Sequence, residues 1–155
     1  MTAIAAIESF LSTKKLAIIG ASRNHKKFGR QVYDALKEKG FKVYGVNPNT
    51  ENLNGDPCYP DIASLPDEVD RVFIVTPPEK TAENVSMALD KGIKNIWIQQ
   101  KSDTSEALEL LKDKDVNLIH NQCILMYASP VKGPHKFHRF ITKVFGKYPK
   151  STKTI

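Results

Sequence analysis

Five short apolar runs punctuate the chain, and they are continuous or nearly so rather than alternating. They read "LAIIG" (Leu16 to Gly20), "KVYGV" (Lys42 to Val46), "RVFIVT" (Arg71 to Thr76), "NIWIQ" (Asn95 to Gln99) and "NLIH" (Asn117 to His120). Strands covered on both faces of a parallel sheet have this pattern. Between most of them the period lengthens to that of a helix. Phe28, Val32 and Leu36 recur every four residues and stop at Gly40, in the position just past a helix end. Ala82, Val85, Ala88 and Leu89 repeat the pattern as far as Gly92. Ala107, Leu108, Leu110 and Leu111 mark a third helix, with Ser102 and Asp103 as cap candidates. A further helix, Ala3 to Leu11, is expected to pack outside the sheet.

One crossover breaks the alternation. From Thr50 to Val69 the chain is rich in Pro, Asp and Asn, which predicts a loop, with "PCYP" as a short edge strand and a small helix around Ile62 to Leu65. The expected fold is α/β: a doubly wound, mainly parallel sheet of five or six strands flanked by helices, forming one domain over residues 1–155. Near the end, Phe137, Phe140, Ile141, Val144 and Phe145 form an apolar stripe, which predicts an amphipathic helix over about 134–146 docked on the body, then a short tail.

Composition narrows the class. The 155 residues are 41% hydrophobic and 26% charged, as in a globular domain, and no apolar run is long enough to span a bilayer. Two cysteines, Cys58 and Cys123, give no disulfide framework, so a reducing, cytoplasmic setting is expected. The net charge of +6 is concentrated at one end. From Val131 onward there are seven Lys or Arg and no acid, leaving sixteen basic against seventeen acidic residues before it. A solvated helix face and polar tail account for this more simply than a nucleic-acid or acidic-membrane partner.

In such a sheet the ligand site lies outside the carboxyl ends of the strands, beside the first one. There the chain reads "GASRNHKKFG". Gly20 permits a tight turn and close backbone approach to a phosphate, Ser22 offers a hydroxyl, and the helix starting near Phe28 offers free amides. Gly29 is placed for close helix–sheet packing. NAD fits poorly, because G-x-G-x-x-G is missing and the second strand ends in "VNPNT", without the acid that holds the ribose hydroxyls. A nucleotide with a phosphate on its ribose suits the loop better, since Arg23, His25, Lys26 and Lys27 stand nearby. NADP and coenzyme A both meet that requirement.

The segments "IIGAS…FG", "VYGVNP", "VDRVFIVTPP", "GIKNIWIQ" and "LIHNQCILMY", in this order from about Leu16 to Pro130, resemble the small stand-alone CoA-binding proteins. Their Rossmann-like fold is shared with the CoA-binding domain of the succinyl-CoA synthetase alpha subunit. The resemblance implies coenzyme A, or an acyl-CoA, as cofactor. It implies a pyrophosphate over Gly20, Ala21 and Ser22, with Arg23 and Asn24 close by. Asn47 and Pro48 would border the adenosine, Thr76, Pro77 and Pro78 the middle of the ligand, and Ile98, Gln99 and Gln100 another wall. The synthetases carry a lysine shortly after the proline of strand two, where Thr50 stands here. The 3′-phosphate then falls to Arg23, Lys26, Lys27 or the backbone.

No catalytic constellation stands out. His120 and Cys123 read as structural, and Glu83 as a solvated helix position. A zinc site from His120, Cys123, His135 and His138 has suitable donors but no evident common geometry. The expected role is therefore that of a carrier, sensor or accessory protein for the nucleotide ligand. The alternative is an NADP-dependent oxidoreductase, or an acyl-CoA enzyme completed by a partner chain. A vacant pocket on an interaction module is a third reading, and homo-oligomers or protein partners stay open.

Overall fold

The computed structural model describes residues 3–128. The helix and tail expected over 134–155 lie outside the described residues, as do His135 and His138. Seven strands form one sheet: β1 (Lys15–Ile19), β2 (Lys42–Val46), β3 (Asn52–Leu53), β4 (Asp56–Tyr59), β5 (Arg71–Ile74), β6 (Asn95–Gln99) and β7 (Asn117–Gln122). Their order is β3-β4-β2-β1-β5-β6-β7, parallel throughout except where β3 runs antiparallel to β4. Without the β3 ribbon this is the doubly wound 3-2-1-4-5-6 order, with its switch point between β1 and β5.

Among the described residues, the four α-helices α1 (Ala3–Leu11), α2 (Phe28–Glu38), α3 (Pro78–Asp90) and α4 (Ser105–Leu111) divide between the two faces. Alternation along each strand makes that division possible. Leu16, Ile18, Phe73, Trp97 and Ile119 pack with α1 and α2, while Ala17, Ile19, Val46, Ile74 and Ile98 pack with α3 and α4. Trp97 is fully buried edge-on to Phe10 of α1, centroids 5.4 Å apart, and its indole N–H donates to the Gln122 carbonyl. Buried Arg71 donates to the Ser9 and Phe10 carbonyls and so closes the end of α1. Both long helices end as their glycines predict. The Phe41 amide reaches back to Leu36 and that of Ile93 to Ala88, each 3.0 Å, while the Gly40 and Gly92 amides close the inner ring.

Three local expectations are corrected. Among the described residues the sheet has seven strands rather than five or six: the expected "PCYP" strand forms as β4, paired with β2 through Cys58 and Tyr59, and Asn52–Leu53 adds β3 outside it as the edge. No helix forms around Ile62 to Leu65. The Asp61 carboxylate accepts from the amide and hydroxyl of Ser64 and fixes a turn instead. The α4 cap is Thr104, whose hydroxyl accepts the Ala107 amide at 3.1 Å. Ser102 and Asp103 are otherwise occupied: Ser102 donates to the Thr76 carbonyl, and Asp103 faces His120 at 3.5 Å.

Candidate functional site

The β4–β5 connection carries no helix, so the α3 face of the sheet is left open beside the switch point. A cleft of about 900 Å³ occupies that space, between the ends of β1, β2, β4 and β5 and the flank of α3. One bank is the β1–α2 loop. Gly20 turns the chain at φ +104°, a conformation L side chains avoid, and its amide donates to the Val46 carbonyl at 3.0 Å. A Cβ on Gly20 would also crowd the Val75 carbonyl at 3.2 Å. A Cβ on Gly29 would overlap the Gly20 carbonyl oxygen. These two glycines let the first turn of α2 sit directly on the end of β1.

The loop between them is braced by its own polar groups. Ser22 Oγ accepts the Asn24 amide and Asn24 Oδ1 the Lys26 amide, each at 3.0 Å. The buried Arg30 guanidinium pairs with Asp34 at 2.9 Å through Nε, and its Nη1 donates to the Ser22 and Arg23 carbonyls at 3.4 Å. Asn47, where an NAD site would carry an acid, ties three loops together. Its amide nitrogen donates to the Ala21 carbonyl at 2.6 Å, its side-chain oxygen accepts the Asn49 amide, and its backbone amide donates to Tyr59.

Helix α2 starts at the cleft without a side-chain cap on Lys27, and α3 starts there without one on Pro77. Among the described residues the amides of Phe28, Gly29 and Glu79 find no protein acceptor. Donors without partners at helix ends carry partial positive charge, so both ends favour an anion, and Phe28 and Gly29 line the cleft. Lys27 and Lys80 add full positive charges to the lining, against Asp61 and Glu83.

Of the residues expected at the site, Gly20, Ser22, Lys27, Asn47, Pro48, Thr76 and Pro77 line this cleft. Ala21 is buried beneath it and packs toward Gly45. Arg23, Asn24 and Lys26 lie on the exposed outer side of the loop, and Pro78 is the exposed first residue of α3. Ile98 belongs to the core under α3 and α4. Gln99 is buried on the opposite face, where Oε1 accepts the Ile124 amide at 3.5 Å, and half-buried Gln100 follows in the turn. None of these last three lines the cleft.

The sequence reading missed the other bank. Lys80, Glu83, Asn84 and Met87 recur at helical spacing along α3 and all face the cleft, with Pro60 and Asp61 opposite them. A polar stripe running parallel to the apolar one on α3 was the available signal. His120 is exposed beside Asp103, while burial raises the Cys123 thiol above its usual range. Burial likewise raises the Cys58 thiol, and both cysteines are free.

Comparison with known proteins gives consistent matches. The family model described as "CoA binding domain" matches residues 14–129. The chain is 30% identical over 129 residues to the alpha subunit of acetate–CoA ligase (ADP-forming) II of Pyrococcus furiosus, covering 76% of this chain and 28% of that subunit. It is 39% identical over 95 residues to acetate–CoA ligase (ADP-forming) II of Archaeoglobus fulgidus, covering 60% of this chain and 14% of that enzyme. The chain thus spans well under a third of either ligase. A solved structure of a hypothetical protein from Pyrococcus horikoshii superposes with a TM-score of 0.76 at 30% identity, covering 86% of this chain and 94% of that one.

Proposed function

The chain belongs to the CoA-binding domain family, and from that premise we propose that it holds coenzyme A, or an acyl-CoA, in the cleft beside the β1/β5 switch point. The pyrophosphate lies against Gly20 and Ser22 and takes the free amides at the starts of α2 and α3, with Lys27 and Lys80 as counter-charges. The adenosine runs past Asn47 and Pro48, and Thr76 and Pro77 border the middle of the ligand. One observation carries this reading: two helix N-termini without side-chain caps open onto one cleft, where a bridging diphosphate would cap both. The role is that of a carrier, sensor or accessory protein rather than of a self-sufficient catalyst.

Calorimetric titration with CoA, acetyl-CoA, NAD and NADP tests it. The expected result is a CoA dissociation constant on the order of micromolar and at least tenfold weaker NAD and NADP binding. Tighter NADP binding, or no binding of any of the four, contradicts the proposal. The likeness to a ligase alpha subunit favours a second reading, in which the chain supplies the CoA-binding part of an acyl-CoA-forming ligase completed by a partner chain. Under that reading a copurifying second chain restores ATP-dependent thioester formation.

A further inference from the structure

The cleft is graded from end to end along α3. Lys80 stands in the first turn, at the same end as Lys27 and the open amides of α2. Met87 lines the cleft seven residues further on, about 10 Å along the helix axis. The loop after β4 is pinned to that far end, since Lys91 Nζ donates at 3.1 Å to the carbonyl of Ala63, two residues past Asp61. Asp61 and Met87 therefore close the same end. Val46 and Pro60 add apolar surface to the lining.

Phosphate-seeking groups at one end and a half-apolar slot about 10 Å away match the length of a nucleoside. Resting on the CoA reading above, we infer that Asp61 selects the base, its carboxylate accepting a hydrogen bond from the exocyclic amine of adenine. Oδ1 is engaged by the Ser64 amide at 2.8 Å and hydroxyl at 2.6 Å, whereas Oδ2 accepts no hydrogen bond among the described residues. The same Ser64 contacts hold the Asp61 carboxyl below its usual range, so at neutral pH it can only accept. An acceptor-only group facing the 6-position of a purine admits an amino group and repels an oxo group. Glu83, the other carboxylate in the lining, lies 4.0 Å from Lys80 and sits midway along the cleft.

The full chain is titrated with CoA and with its deaminated analogue, in which hypoxanthine replaces adenine, as wild type and as Asp61→Asn. Wild type should bind CoA at least about tenfold more tightly than the analogue, the scale of one hydrogen bond to a charged group. Asp61→Asn keeps an oxygen for Ser64 and offers an amide donor to the base, so it should reverse the preference. Equal affinities in the wild type, or an unchanged ratio in the variant, overturn the role of Asp61 while leaving the CoA reading intact. Failure of the wild type to bind either ligand overturns both.

Discussion

Helices α2, α3 and α4 all begin just past a parallel strand, but they begin differently. At α4, Thr104 folds its hydroxyl back onto the Ala107 amide, so the helix closes its own end with its own side chain. At α2 and α3 the corresponding residues are Lys27 and Pro77, neither of which supplies a side-chain cap, and both ends open onto the cleft. Ser, Thr, Asp or Asn at those positions would stabilise the helix by about 1 kcal/mol, yet they are missing where the sheet switches direction. On the proposed reading, the ends without caps mark where an external anion would complete the structure, and the capped end marks where the fold is complete without one.

The largest effect on this contrast should come from Gly29→Ala. The new methyl overlaps the Gly20 carbonyl oxygen, which is backbone and cannot swing aside. A loss of roughly 3 kcal/mol in denaturant unfolding, together with loss of CoA binding, is expected. Gly20→Val comes next. A branched side chain at φ +104° that also presses on Val75 should cost roughly 2 kcal/mol of stability and abolish CoA binding in calorimetry. Thr104→Ala is the control from the other region. Thermal melts should show a loss of about 1 kcal/mol with no change in CoA affinity. An equal fall in affinity would erase the distinction between the two kinds of helix start. The smallest effect separates neighbouring lysines. Lys27→Ala should weaken CoA by about threefold at low salt and Lys26→Ala by less than about twofold, because only Lys27 lines the cleft.

Much of this was legible in the sequence. The runs at Lys42–Val46 and Asn95–Gln99 are strands with those same limits, and Ala3–Leu11 is a helix, because burial on two faces or one leaves a periodic record. The β1–α2 loop was also readable, since Gly20 and Gly29 stand where the backbone must turn and pack. What escaped was tertiary. β3, two residues long, is too short to show a period, so the "PCYP" strand was read as the edge when β3 lies outside it. Gln99 looked like a crevice residue at a strand end, but strand alternation turns it to the face opposite α3. Glu83 and its neighbours on α3 carry the composition of any solvated helix face. Only the lack of a helix in the β4–β5 connection turns that face into the wall of a cleft, and that consequence appears once the strands are ordered in space.

The most direct test follows the backbone amides of Phe28, Gly29 and Ala107 by two-dimensional NMR as CoA is added. Phe28 and Gly29 should shift strongly and gain protection from exchange as the diphosphate oxygens accept hydrogen bonds from their amides, while Ala107, already bonded to Thr104, stays where it was. Saturating CoA that leaves Phe28 and Gly29 unmoved, or that moves Ala107 as much as them, would contradict the account.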